Sequence, residues 1–193
     1  GVIVWVLDNR SAGGSAEAQW PVWGRLGEAE LQDLEDGVQW LKTQPYVDGS
    51  RLVLSGWSYG GFMTAYALTH STSWAAGVVG APVTDWRDYD TIYTERYMWI
   101  PQENKAGYEA GSAMTYAKDL KGRLLIYYGT QDNNVHPSNS MQLIKALQQA
   151  GKGLPTASIF RKNDGQPQNV GSLRLLETAA GGRGRDKRLW TEI

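Results

Sequence analysis

Residues 52–71, LVLSGWSYGGFMTAYALTHS, read as a strand, a sharp turn with one serine at its tip, and a helix. Within them Gly56-Trp57-Ser58-Tyr59-Gly60 fits the G-x-S-x-G nucleophile elbow, where small flanking residues let a strand run directly into a helix. That turn lifts the serine Oγ off the sheet and aims the following backbone N–H at a developing oxyanion. The pattern alone has low specificity. Its context is more telling, because RLVLS reads as the preceding strand and GFMTAYALTH as the following helix. A glycine-rich turn without chemistry is the competing reading, and the partners of Ser58 decide between the two.

Outward from the elbow, apolar runs at Val2–Leu7, Leu52–Leu54, Gly77–Val79 and Leu124–Tyr128 are short and β-branched or aromatic enough to be buried strands. Helical spacing separates them. Leu31, Leu34, Val38 and Leu41 share one face, and Glu28, Glu30, Asp33 and Asp36 load the helix start with negative charge. Met141, Leu143, Ile144 and Leu147 form a second helix, with Ser138 or Asn139 placed to cap it and Gly151 to stop it. Strands alternating with helices imply an α/β protein with a mostly parallel sheet covered on both faces.

With 193 residues and 41% hydrophobic content, the chain is large enough for a single-domain core. A formal net charge of −1 argues against electrostatic capture of nucleic acid or anionic lipid, and no apolar run reaches the ~20 residues needed to span a bilayer. The sequence therefore suggests neither a nucleic-acid nor a membrane partner. With no cysteine and two isolated histidines there is no ligand cluster for a metal, and no cofactor is implied. The compartment is left open by composition. The first residues already form an apolar strand with no signal-peptide pattern, so upstream sequence is expected.

A compositional break falls near residue 151. Residues 1–150 carry 11 basic and 16 acidic side chains and every tyrosine; residues 151–193 carry 8 basic and 4 acidic. The expected organisation is a partial catalytic domain over 1–150 and an atypical segment over 151–193. The latter ends in TAAGGRGRDKRLWTEI, which lacks a sustained helical or strand period and resembles a solvated tail.

An α/β elbow expects its partners in the order Ser, Asp or Glu, His. After the strand RLLIYYG, the loop TQDNNVHPSNS puts Asp132 at a strand's carboxyl end, where open parallel sheets bind ligands. There it could orient an imidazole; alternatively it makes an Asx-turn. The base is harder to find. His70 sits about three turns along the helix that leaves the elbow, roughly 18 Å from Ser58 at 1.5 Å rise per residue. His136 shares the Asp132 loop but is followed by Pro137 and a helix start, which favours a structural role.

LDNRSAGG, GWSYGGFMTAYAL, APVTDWRDYDTIYTERYM and GTQDNNVHPSNS, in this order over residues 1–150, resemble the catalytic domain of the prolyl oligopeptidase family, in its dipeptidyl peptidase IV branch. The resemblance implies an α/β-hydrolase fold and a serine peptidase acting on peptides with proline or a small residue at the cleavage site. By motif, Ser58 corresponds to the nucleophile and Asp132 to the triad acid, and the Tyr59 N–H to an oxyanion-hole donor. Val83, Trp86, Tyr89, Tyr93 and Val135, with the Tyr59 ring, correspond to the proline pocket, and Asn134 to a hydrogen-bond donor for a substrate carbonyl. Read from residues alone, the aromatic cluster is equally an ordinary core. Arg87, Glu95 and Arg96 read as a charged network supporting this loop. The resemblance also admits a homodimer and leans toward a periplasmic or extracytoplasmic setting.

Three departures stand out. The family's N-terminal propeller, which holds the substrate amine, is not in this sequence, nor is the upstream tyrosine that supplies a second oxyanion donor. The family's His-Gly falls where this chain has Asp164-Gly165, and an aspartate, ionised near neutral pH, does not replace imidazole. The closing helix is also hard to recognise. A frameshift near residue 152 would account for these changes together, and translating the other reading frames of the coding DNA in search of Tyr-Pro followed by His-Gly would test it. The expectation is a peptidase-type chain that is nearly inactive as given. A non-catalytic binding protein of the same fold is the alternative, and an esterase a more distant one.

Overall fold

The computed structural model describes residues 2–13, 15–152, 156–160 and 188–192, the last two stretches as backbone strands. In chain order the elements are β1 (Val2–Val6), α1 (Ala16–Gln19), α2 (Glu28–Lys42), β2 (Leu52–Trp57), α3 (Tyr59–His70), β3 (Ala76–Gly80), α4 (Thr91–Met98), α5 (Lys105–Ala110), β4 (Arg123–Gly129), α6 (Ser138–Gln149), β5 (Thr156–Phe160) and β6 (Arg188–Glu192). The strands form one sheet in the order β1-β6-β2-β3-β4-β5, and every neighbouring pair is parallel.

Side chains alternate between two clusters, as strand geometry demands. Leu52, Leu54, Val79, Leu124 and Ile126 point into the main core, whereas Val53, Val78 and Leu125 form a smaller cluster on the opposite face. The large buried apolar residues of α2, α3 and α6 all belong to the main core. The connections β1-α2-β2, β2-α3-β3 and β4-α6-β5 advance across the sheet in one direction, and right-handed crossovers then put their helices on one side. Thus the α/β arrangement stands as expected, with α2, α3 and α6 packed on the face that carries the main core.

Helix ends show which local signals prevailed. α3 is buried from Gly60 to Thr69, so it has no polar face to reveal it by periodicity. α6 stops where expected: Gly151 has φ 68°, its N–H donates to the Gln148 carbonyl, and the Lys152 N–H donates to that of Leu147, a Schellman ending. Its start differs from expectation, because neither Ser138 nor Asn139 caps it; Pro137 holds the cap position without a side-chain bond. Asn139 is fully buried and instead ties two loops together, accepting from the Thr84 N–H at 3.0 Å and donating to the Asp88 carbonyl at 3.3 Å.

The segment after residue 150 also departs from expectation. TASIF and RLWTE are strands: β5 extends the sheet beyond β4, and β6 lies between β1 and β2. RLWTE lies within the stretch expected to lack a strand period; its Gly/Arg surroundings hide a five-residue run that pairs with β1 and β2, and TASIF pairs with β4 in the same way.

Candidate active site

The loops after β2, β3 and β4 open at the same end of the sheet. Trp57 on β2 is in register with Gly80 on β3, which is in register with Tyr127 on β4. Two strand spacings put the ends of β2 and β4 roughly 10 Å apart. Ser58 follows the first and Asp132 the second, so two candidate residues separated by 74 positions in sequence share one rim.

Ser58 has φ 57° and ψ −110°, a conformation an L-residue adopts only under constraint. The constraint is backbone packing. Ser58 N–H donates to the Gly80 carbonyl at 2.9 Å, and the Phe62 N–H to the Ser58 carbonyl at 2.9 Å. A Cβ on Gly56 would lie 2.4 Å from the Gly60 backbone, and one on Gly61 2.3 Å from the Gly80 carbonyl oxygen. Only glycine permits the strand and helix to approach this closely. Tyr59 is the first residue of α3, so its N–H has no intrahelical acceptor and points from the positive end of the helix.

Asp132 is 7% exposed. Its Oδ1 accepts from the backbone N–H groups of Asn134 and Val135, both at 3.0 Å, which is the Asx-turn foreseen as the alternative. Oδ2 makes no hydrogen bond among the described residues, so the turn and an orienting function use different oxygens.

Neither histidine is directed to this rim. His70, at the last turn of α3, stacks on Tyr66 with centroids 3.9 Å apart, and its Nδ1 faces the Tyr66 carbonyl at 3.0 Å. Burial pushes its pKa below the usual imidazole value. The Nδ1 of His136 lies 2.9 Å from Ser138 Oγ and accepts from the Ser138 N–H at 3.2 Å, which uses the ring at the start of α6. Asp164 lies outside the described residues.

The expected pocket residues come together. Trp86 is the hub: its ring lies 5.8 Å from that of Tyr59, 6.1 Å from Tyr89 and 5.9 Å from Tyr93. Val83 and Val135 are buried in the same cluster, and Tyr89 donates to Asn134 Oδ1 at 3.1 Å, linking the cluster to the Asp132 loop. Asn134 itself is exposed. Burial pushes the phenols of Tyr59, Tyr89 and Tyr93 above the ordinary tyrosine value, so they are neutral donors at neutral pH.

The charged trio separates. Arg87 grips Asp85 with two bonds of 2.7 and 2.6 Å and so braces the turn carrying Trp86. Arg96 instead lies over the Tyr97 ring at 5.4 Å, and neither it nor Glu95 joins an ion pair among the described residues. Sequence reasoning assigned Glu30 only to the helix dipole. The structure buries it completely, with Oε1 2.5 Å from the Tyr59 hydroxyl and Oε2 3.0 Å from the Gly27 N–H. The glutamate three residues after a helix cap carries part of that signal; its long-range bond to Tyr59 has none in the local sequence.

A parallel sheet with a strained serine between strand and buried helix, opposite an acid loop, defines an α/β-hydrolase. More particularly, the chain belongs to the prolyl oligopeptidase family, whose sequence model matches residues 1–165. It is 42% identical over 153 residues to a probable dipeptidyl peptidase 4 of Neosartorya fischeri, covering 77% of this chain and 20% of that protein. With a probable dipeptidyl-aminopeptidase B of Metarhizium robertsii the identity is 43% over 180 residues, covering 91% of this chain and 20% of the relative. The crystal structure of Porphyromonas gingivalis dipeptidyl peptidase 4 superposes with a TM-score of 0.77 at 36% identity, over 84% of this chain and 24% of that one. The chain thus spans about a fifth of the length of the curated relatives it matches.

Proposed function

We propose that this chain is the catalytic-domain portion of a serine peptidase resembling dipeptidyl peptidase IV, taking peptides with proline or a small residue at the bond cleaved. The observation that carries the reading is the backbone of Ser58, held at φ 57° beside the open N-terminus of α3 and the Trp86 cluster. In this reading Ser58 Oγ attacks the substrate carbonyl, the Tyr59 N–H donates to the oxyanion, and a histidine carries the serine proton to the leaving amine. The free Oδ2 of Asp132 orients that histidine. Trp86, Tyr89, Tyr93, Val83 and Val135 enclose the proline ring, and Asn134 holds a carbonyl at the rim.

Both histidines among the described residues are engaged elsewhere, so the chain as given is expected to bind such peptides and hydrolyse them very slowly. Loss of a triad histidine lowers kcat on the order of a millionfold in a well-studied serine protease. This same observation favours the second reading, a non-catalytic member that retains the pocket for binding. Labelling with a fluorophosphonate, compared with Ser58→Ala, together with turnover of a Gly-Pro p-nitroanilide, separates the outcomes. The expected result is peptide binding with negligible labelling and turnover. Fast turnover that Ser58→Ala abolishes would overturn the inactive reading, and a folded chain that neither binds nor reacts would overturn the assignment of the site.

A further inference from the structure

The three buried acids among the described residues are Glu30, Asp85 and Asp132. Asp85 is paired with Arg87, and Asp132 accepts two backbone N–H groups. Glu30 has no cation within ion-pair distance among the described residues, although burying a lone carboxylate is unfavourable. A helix start needs no such burial: Glu28, in the same first turn of α2, keeps a side chain 66% exposed and serves the dipole equally well. Capping explains only one Glu30 oxygen, the one facing the Gly27 N–H. The other is committed to the hydroxyl of Tyr59, the residue next to Ser58.

The space around that ring makes the bond consequential. A cavity of about 60 Å³ borders Tyr59 and is lined also by Ser11, Val22, Leu26, Tyr93 and Tyr97. The same ring packs against Phe62 and Trp86, with centroids 5.4 and 5.8 Å away. A ring that borders open space is not fixed by packing alone, and the hydrogen bond at its hydroxyl end supplies the remaining constraint. A buried acceptor and a neutral phenol in a water-poor site make a strong bond. Burial pushes the Glu30 carboxyl above the usual carboxylate range, while the Tyr59 bond opposes that shift.

We propose that Glu30 is a positioning residue that, through the Tyr59 hydroxyl, fixes the Tyr59 ring against Trp86 and so sets the preference of the pocket for a proline ring over a smaller side chain. The inference rests on the pocket assignment above. Its test is the pair of dissociation constants for Gly-Pro and Gly-Ala p-nitroanilides, measured by calorimetry on the full chain. The unmutated chain should favour the proline ligand. Glu30→Ala should reduce that preference about tenfold, the scale set by removing the carboxylate acceptor of a poorly exposed hydroxyl and leaving Ser11 as its remaining polar neighbour. Glu30→Gln, whose amide can keep its oxygen on the Gly27 N–H and donate its NH2 to the Tyr59 hydroxyl oxygen, should keep the preference within about twofold of the unmutated value.

Tyr59→Phe should lose as much preference as Glu30→Ala, and the double variant no more than either alone, because both remove the same bond. Thermal unfolding of each variant accompanies the titrations. Lower stability with an unchanged ligand preference would overturn the proposal and leave Glu30 a structural residue. So would additive losses in the double variant. Should Glu30→Ala fail to fold, Tyr59→Phe decides alone: an unaltered preference there also overturns the proposal. If the unmutated, folded chain binds neither ligand, the pocket assignment itself fails and the proposal falls with it, an outcome distinct from binding that is indifferent to Glu30.

Discussion

The loops that follow β2 and β4 stand on the same rim of the sheet and are held by opposite means. At Ser58 the conformation is fixed by backbone against backbone, with glycines at 56 and 61 leaving no room for a Cβ. At Asp132 it is fixed by one side-chain oxygen gathering two backbone N–H groups. A loop of the first kind tolerates no added atom but is insensitive to charge; one of the second kind tolerates any residue that keeps the acceptor. The first suits a nucleophile, whose position must not drift. The second leaves an oxygen free for a partner and permits small adjustment.

The largest expected effect breaks the elbow. Gly61→Ala forces a methyl to within 2.3 Å of the Gly80 oxygen and 3.1 Å of Pro82 Cα, neither of which is the end of a flexible side chain. A loss of about 3 kcal/mol or more is expected, read as a fall in the urea midpoint or as failure to fold. Gly151→Ala sharpens the contrast: its φ is 68° but nothing lies within 4 Å of the added Cβ, so backbone strain acts alone and costs about 1 kcal/mol. Equal losses at the two glycines would mean that the elbow relaxes and that its packing is not what fixes Ser58.

At the opposite loop, Asp132→Ala leaves two N–H groups without their acceptor in a poorly exposed turn and should destabilise by about 2 kcal/mol. Asp132→Asn retains an acceptor oxygen and should lose less than about 1 kcal/mol by the same reasoning. If Asn proves as harmful as Ala, charge rather than hydrogen bonding maintains the loop, and the comparison with the elbow must be recast.

A charge-sensitive contrast sits within α2. Arg10 binds Asp33 through its backbone N–H at 2.9 Å and Nε at 2.8 Å, with Nη2 closing a second contact, and these bonds hold the Asp33 carboxyl below its usual range. Glu30, one turn earlier, is pushed above its usual range by burial. The signs therefore oppose. Stability supplied by Asp33 is present above its unfolded value of 3.8 and is lost as pH falls through the lower folded value. The Glu30 contribution is fully present below 4.5 and declines as pH rises through the higher folded value. Urea titrations across this range should show the penalty of Asp33→Asn shrinking in acid and that of Glu30→Gln shrinking toward neutrality. Parallel trends would contradict the two environments described for these carboxylates.

These examples also show what the sequence makes legible. The elbow can be read because its cause is local: Gly56, Gly60 and Gly61 flank Ser58 within six positions, between a strand and a helix. The aromatic cluster is partly local, since Trp86, Tyr89 and Tyr93 fall on one short stretch, but their closure onto Tyr59 and Asn134 needs the sheet. The bond of Glu30 to Tyr59 is hidden, because its partner is 29 residues away and the spacing of Glu30 serves a helix start just as well. The strands β5 and β6 escape for another reason: in a five-residue run, propensity is weak evidence until neighbouring strands pair with it.

The smallest expected effect concerns His136, and it tests the rim more sharply than its size suggests. The ring Nδ1 accepts from the Ser138 N–H and faces Ser138 Oγ, doing for α6 what a side-chain cap does elsewhere. His136→Ala should therefore cost about 0.5–1 kcal/mol, as loss of a helix cap does, and His136→Asn should recover much of it. Neither substitution should alter peptide binding or the slow fluorophosphonate labelling of Ser58, because the ring is committed to α6. An exposed histidine in the same loop as the candidate acid is nevertheless the natural alternative base. If His136→Ala abolishes whatever labelling the chain shows while leaving it folded, the ring must exchange its helix-start bonds for the serine, and Asp132 Oδ2 then has its imidazole within its own loop. If labelling is unchanged, the base lies beyond both described histidines, and the elbow and the acid loop are two finished parts of a site whose third part neither of them supplies.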